Sequence, residues 1–487
     1  MTSRLHFDPA TPGNLSRVPT SFVFSGWYAD AHGRAARALR LRLGRRLLSC
    51  PPVVRTDLPP PVEPGAGFHL TLKTGTGLKL ILIEALGADG QWRTVGRRLV
   101  WVTRTGGGAN GASAAYRSGL DGLYQACLGV RLAHTEETCE LTWVIPDFNA
   151  PGGVGGGGGH LNLFRMVQNL EALGLRRQQF LIVGPHTQKS GADATALARR
   201  CFFPTEAPIW LPHEPLPRTK AWMASCWHTA YFVRERAPEE KKFYFSQDYE
   251  PLFYPAGSNS ALVEQTYRFG FKLITAGPWL RGLIERDFGA DAVHYGFSYD
   301  KDIYRPPAPP SSGDARFDFD ILFYARPHTE RRMFDLGVEA IRHAISTSGR
   351  PLRVAFAGGC LPPESAPFPF ASLGVLSLRQ LAALYGRVRC ALVLSATNAS
   401  LLPYELMACG CPLVTNDGPS NAWLFPDGYG GLAPAEPAAL GSRLAAIVST
   451  PALRDQLSAD GLRLVAGTDW MAGARDVLAF LRRHGVP

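Results

Sequence analysis

Residues 141–174, LTWVIPDFNAPGGVGGGGGHLNLFRMVQNLEALG, decide the fold. An apolar run, LTWVIP, leads into a stretch where seven of the ten positions 151–160 are glycine, and a segment of helical period follows. Composition alone would make the glycines a flexible tether. The flanks argue otherwise. Downstream, Leu163, Met166, Val167, Leu170 and Leu173 fall on one helical face, Arg165, Gln168 and Asn169 fall opposite, and Gly174 marks a stop. Strand, glycine turn and helix make a βα unit, and its turn lies at the C-terminal edge of a parallel sheet, where open α/β domains bind ligands. Lacking Cβ atoms, Gly157, Gly158 and Gly159 let a ligand approach backbone N–H groups. No Gly-Lys-Ser or Gly-Lys-Thr follows, so the run is not a Walker loop, and it matches GxGxxG by its richness in glycine alone.

Outward from this unit, short apolar runs alternate with amphipathic helical stretches as far as the C-terminus. One set of strands is LTWVIP, QFLIVG, AWMAS, KKFYFS, FKLITAG and AVHYGF; a second is FDILFYA, RVAFAGG, CALVLSA and CPLVTN. The proline-rich stretch SYDKDIYRPPAPPSSGDAR separates them. The expected class is α/β, two Rossmann-like domains facing a cleft, over residues 140–305 and 306–487. Residues 1–104 read as a small β-sandwich: Leu39, Leu41 and Leu43 alternate with Arg40 and Arg42, the pattern of a half-buried strand with a solvated arginine face. Residues 105–139 are a linker and entry segment that begins in the glycine-rich run TRTGGGANGASAAY.

The chain of 487 residues is 46% apolar and 19% charged, ordinary for globular domains. Fifty-one Lys and Arg against 41 Asp and Glu give a net charge of +10, a basic surface but no nucleic-acid signature. Nine cysteines form no CxxC pair, which favours free thiols in a reducing compartment over disulfides or zinc. No run reaches the ~18 apolar residues of a membrane span. A cytoplasmic protein is expected, with peripheral contact at the inner face of the membrane left open by its basic charge.

The second set of strands holds the chemistry. FDILFYARPHTERR delivers Arg326 at a strand end and Arg331 at a helix start. Two guanidiniums there suit a diphosphate through bidentate charge-assisted hydrogen bonds. In SATNASLLPYELMACGCPLVTND, Pro403 suits a first helical position and Gly410 a stop, which puts Glu405 in the first turn. There it either complements the helix dipole or accepts hydrogen bonds from ribose hydroxyls.

ARPHTERR followed by this stretch resembles the donor site of GT-B glycosyltransferases of family 4. GGGGHLNLFRMVQNLEALG, FSQDYEPLFYPAGSNSALVEQTYRFGFKLITAGPWL and FSYDKDIYRP resemble bacterial rhamnosyltransferases of S-layer and related surface glycans. The resemblance implies a GT-B architecture preceded by a β accessory module. It implies a nucleotide-sugar donor, dTDP-L-rhamnose, and a glycan or lipid-linked glycan acceptor. It also implies Arg326 and Arg331 on the phosphates, backbone contacts from Ser400 and Leu401, and Glu405 on the ribose. Family 4 members often carry a second glutamate eight positions earlier, where this chain has Thr397, so the contact to the transferred sugar differs. The resembled chemistry is retaining, and the departing phosphate can itself take the acceptor proton.

Two Asp-x-Asp pairs are candidate metal sites. Asp318 and Asp320 begin a strand, the wrong edge for the site, and Asp300 and Asp302 lie in the domain crossing, so transfer without a metal or other cofactor is expected. KKFYFSQDYEPLFY ends a strand at Gln247 and Asp248, which with Glu250 and His160 would face the acceptor or the donor pyranose. Asp248 is the acid/base candidate, with a turn-capping carboxylate as the structural alternative. The competing function is a catalytically silent glycan-binding or scaffold protein with the same fold.

Overall fold

The computed structural model describes residues 4–7, 17–18, 21–30, 32, 34–44, 46–50, 52–53, 67–74, 76–87, 89–102, 124, 127, 130–149, 158–238, 241–307, 317–426 and 428–487. The glycine-rich run 105–111, Gly157 and the prolines of the crossing after Pro307 lie outside the described residues. Two compact units result: Met1–Arg117 with Leu373–Val375, and Ser118–Ser372 with Leu376–Pro487.

The first unit contains two sheets on one core. Arg17–Val18, Trp92–Val102, Gly77–Leu86, Ala38–Leu43 and Arg46–Cys50 form one, in that spatial order; Arg4–Phe7, Ser21–Ala29, Gly67–Lys73 and Pro52–Val53 form the other. Leu39, Leu41, Leu43, Ile81, Ile83 and Val100 from the larger sheet meet Phe68 and Leu72 from the smaller. Burying each such side chain contributes about 1.5–3 kcal/mol. Arg40 and Arg42 alternate outward as the sequence implies, but both close on Glu84 of the neighbouring strand, at 2.7 and 2.8 Å. Their charge serves a cross-strand pair rather than an open arginine face.

The second unit holds two parallel sheets. The first α/β domain has seven strands in the order Ile209–Trp210, Gln178–Ile182, His134–Ile145, Leu216–Ala224, Lys242–Ser246, Lys272–Ala276 and Ala292–Tyr295. The second has six: Ala371–Ser372, Val354–Ala357, Phe319–Tyr324, Val388–Val393, Leu413–Asn416 and Leu432–Ala433. In each, the first strand in the chain sits centrally and the order reverses beside it, which makes the crevice at its C-terminal end the binding position. The three strands that periodicity misses, Ile209–Trp210, Ala371–Ser372 and Leu432–Ala433, are two-residue edge strands too short to show a pattern.

The helix after the glycine run spans Gly158–Ala172 and ends before Gly174, whose φ of 105° suits only glycine. Leu163, Met166, Val167 and Leu170 are buried as the pattern requires. Arg165, expected on the solvated face, is buried too, because the chain's last helix covers it. That helix, Trp470–Arg483, returns from the second domain to the first sheet: Phe480 packs edge-on to Phe243, Gly473 lies against Tyr295, and His484 meets Asp291 at 2.8 Å.

Candidate functional site

The strand Phe319–Tyr324 ends at the order reversal of the second domain, and the chain after it turns tightly, Thr329 N–H donating to the Arg326 carbonyl at 3.0 Å. A single 3₁₀ turn, Glu330–Arg332, leads through Met333, at φ 51°, into the helix Phe334–Ser348. This path gathers three guanidiniums. Arg326 is exposed and donates to the Tyr324 hydroxyl at 3.2 Å. Arg331 lies over the ring of Phe253, 4.1 Å away, which belongs to the first domain. Arg332 donates to Ser395 Oγ at 3.0 Å and to the Asn398 carbonyl at 2.9 Å.

Burial, then the charge of Arg331, brings Arg332 down to about 10; burial lowers Arg331 as well, and Arg326 adds to both effects. Asp248 is the carboxylate that opposes this most for Arg331. The site therefore holds positive charge that is largely withdrawn from water. Arg326 and Arg331 were legible in the sequence; Arg332 was not, because only the tertiary turn decides which of two adjacent arginines points inward.

Across from the arginines runs the loop after strand Val388–Val393. Its geometry is fixed from below: Ser395 N–H donates to Asn416 Oδ1 at 2.9 Å, and Asn416 and Asn421 both donate to the Ser395 carbonyl at 2.9 Å. Ser400 has φ 62°, an uncommon conformation for a residue with a side chain, held by its N–H donating to Asn398 Oδ1 at 2.8 Å. Such strain at a loop tip is of order 1–3 kcal/mol and collects at functional sites. Leu401 is buried at the start of the helix Leu402–Ala408, which carries Glu405.

The first domain meets this loop through Gln247 and Asp248. The Asp248 carboxylate accepts from Thr397 Oγ1 at 2.7 Å, from Asn398 N–H at 3.3 Å and from Tyr249 N–H at 2.9 Å. Burial raises its carboxyl against the pull of Thr397, Arg332 and Arg331. Gln247 donates to the Gly159 carbonyl at 2.9 Å, and its own carbonyl accepts from Asn398 at 3.3 Å. A Cβ added at Gly158 would touch Ser400 Oγ at 3.4 Å. Glycine helix, Gln247, Asp248, Thr397, Asn398 and Ser400 are thus one contiguous assembly. Thr397 thus holds a carboxylate from the opposite domain.

Two expected residues lie elsewhere. Glu250 does not face the cleft: it is buried in the first domain, accepts from Trp227 N–H at 2.8 Å, and so caps the helix Trp227–Arg234. Burial pushes its carboxyl up to about 8, with the nearby Cys226 adding to the rise. The His160 ring packs with Phe148 and Phe202, centroids 5.8 and 6.5 Å away, in an aromatic cluster of the first domain.

Glu405 is partly buried, and its carboxyl is pushed up to about 7 by burial against the pull of the Tyr304 hydroxyl and Arg165. Three of the four carboxylates in the Asp-x-Asp pairs are engaged: Asp320 pairs with Arg350 and Arg389 at 3.0 and 3.1 Å, Asp318 with Arg387 at 2.7 Å, and Asp300 with Arg165 at 3.5 Å.

Two facing Rossmann-like domains with the site between them define the GT-B architecture, here with an N-terminal β unit of two sheets. Residues 320–426 match the family described as WsaF, C-terminal domain. The chain is 32% identical over 359 residues to the O-antigen biosynthesis protein RfbC of Myxococcus xanthus, an alignment covering 71% of this chain and 27% of that protein. It thus spans about a quarter of that relative's length. Among solved structures, Anabaena Alr3699/HepE in complex with UDP and glucose superposes with a TM-score of 0.52 at 11% identity, over 71% of this chain and 99% of that one. WaaG, a glycosyltransferase of lipopolysaccharide biosynthesis, gives 0.45 at 12% identity over 71% and 100%.

Proposed function

We propose that this chain is a glycosyltransferase of bacterial surface-glycan synthesis, moving L-rhamnose from dTDP-L-rhamnose to a glycan or lipid-linked glycan. The observation that carries the reading is the gathering of Arg326, Arg331 and Arg332 at the order reversal of the second sheet, the latter two withdrawn from water. A nucleoside diphosphate supplies an anion, and Arg326 and Arg331 grip it. Glu405 accepts from the ribose, and the Ser400–Leu401 backbone completes the donor pocket. As the bond from the anomeric carbon to the β-phosphate oxygen breaks, charge grows on that oxygen. Fixed guanidiniums stabilise it without reorganising, and no metal is needed. The acceptor oxygen bonds to the same face of the sugar, and its proton passes to the departing phosphate.

Asp248, the acid/base candidate of the sequence, is buried and engaged by Thr397, Asn398 and Tyr249, so its role here is that of an orienting carboxylate on the acceptor side. The acceptor is met at the inner face of the cell membrane, consistent with the net charge of +10. A thermal-shift series with dTDP-, UDP- and GDP-sugars tests the reading. A ligand at about 100 times its dissociation constant adds about 2.7 kcal/mol of stability, and the dTDP-sugar should lead the series. Stabilisation by none of the three removes the proposal. Glycan binding without sugar transfer would support a silent scaffold.

A further inference from the structure

Nearly all of the chain's excess charge lies in its first unit. Residues 1–104 contain 15 Lys and Arg against 6 Asp and Glu, a net +9 of the chain's +10, so the remaining 383 residues are close to neutral. The same unit leaves Leu47, Leu78 and Leu80 exposed at 50, 53 and 49%, three of the five large apolar side chains that remain exposed among the described residues. The pleat puts these leucines on one face. Ile81 and Ile83 are buried in the core between the sheets, so Leu78, Leu80 and Leu82 project from the opposite side. Cross-strand register sets Leu80 beside Leu99 and Leu82 between Arg97 and Arg42, with Leu47 beyond Arg42. Glu84, the acid beside them, is already taken by Arg40 and Arg42. Arg97 is exposed, and with Leu80, Arg98 and Leu99 it lines a surface hollow.

We propose that the outer face of the five-stranded sheet is a docking surface for an anionic lipid bilayer. The inference deepens, and rests on, the reading of an acceptor met at the membrane. Each Lys or Arg near an anionic leaflet strengthens attachment by about fivefold, and the attraction falls off within a Debye length. Charge brings the unit to the surface, and the leucines beside it then enter the boundary between headgroups and acyl chains, where their burial adds to the electrostatic attraction. A nucleic acid or an acidic polysaccharide would be held by the charge and would leave the leucines in water. The leucine row with an arginine beside it fits a surface that is anionic outside and apolar beneath.

The test is co-sedimentation of the full chain with vesicles of phosphatidylcholine, alone or with about one third phosphatidylglycerol. Binding should appear on the anionic vesicles only, and should weaken but persist as salt is raised. Leu78→Thr combined with Leu80→Thr, which keeps strand propensity, should lower the partition about tenfold. Arg97→Gln should lower it about fivefold. Arg353→Gln, which removes an exposed arginine of the second α/β domain, should leave it unchanged. All three variants should bind nucleotide sugar as the parent does. Absence of binding to the anionic vesicles overturns the inference. So does an equal loss from Arg97→Gln and Arg353→Gln, which would assign the effect to net charge and not to this face. Retention of a sulfated polysaccharide or of nucleic acid in place of vesicles, undiminished by the leucine pair, would also overturn it, as would a dimer in solution that the leucine pair dissolves. Failure of the chain to bind any nucleotide sugar, with vesicle binding intact, instead removes the transferase reading beneath it.

Discussion

The two edges of the second domain's sheet each hold three arginines, and they use them differently. At the N-terminal edge, Arg350, Arg353 and Arg389 surround the buried Asp320 at 3.0, 3.6 and 3.1 Å, and Arg350 and Arg353 keep about half their surface in water. Against the cost of burial, these arginines hold the Asp320 carboxyl below its ordinary range. At the C-terminal edge, burial and mutual repulsion lower Arg331 and Arg332, and the opposing carboxylate, Asp248, arrives from another domain. The first arrangement draws its counter-charge from its own domain; the second draws it from the other. Counting arginines does not separate the two. Solvation and the origin of the counter-charge do.

Four measurements can break or sharpen this contrast. The largest effect should come from Asp320→Ala, which removes the buried carboxylate that Arg350, Arg353 and Arg389 share: about 3 kcal/mol of stability lost in denaturant unfolding, with nucleotide affinity unchanged. Next, Arg331→Gln should weaken nucleotide-sugar binding by about 2 kcal/mol, roughly thirtyfold in the dissociation constant, because a charge-assisted contact is lost. Equal binding by this variant in calorimetry would mean the C-terminal edge is as self-contained as the other.

The carboxylates extend the comparison to pH. The Asp320 carboxyl is depressed, so its contribution is present above the unfolded value and is lost as pH falls through the folded one. Glu250, raised by burial to about 8, makes a contribution that is present at low pH and disappears as pH rises from about 4.5 to 8. Glu250→Gln should therefore raise Tm at pH 8, by roughly 2–4 °C for each kcal/mol recovered, and leave it little changed at pH 5. A Tm that falls equally at both pH values would show that the cap to Trp227, and not ionisation, governs this residue. The smallest effect belongs to the solvated Arg353: Arg353→Gln should stay within about 0.5 kcal/mol and leave nucleotide binding untouched.

Much of the fold was legible because its signals are local. All ten apolar runs read as core strands are strands of the two parallel sheets, and Gly174 and Gly410 follow the helices they were expected to end. The edge strands were not legible, since two residues carry no period. Arg326, Arg331 and Glu405 could be placed from their positions relative to strand ends and helix starts. Arg165 and Glu250 were misplaced for one common reason: helical and loop periodicity marks a face as solvated only if nothing else covers it. The returning helix Trp470–Arg483 covers Arg165, and helix Trp227–Arg234 takes up Glu250 as its cap.

By itself, the sequence determined the parallel α/β character, the strand order of chemistry along the chain and the identities of the charged groups, because hydrophobic period and turn residues act within a few positions of one another. Tertiary structure alone decided that Asp248 meets Thr397 and that Arg332 turns inward, residues 149 and 63 positions from their partners Thr397 and Ser395. Those pairings depend on burial and on the approach of two separately folded sheets, and no local pattern of residues encodes either.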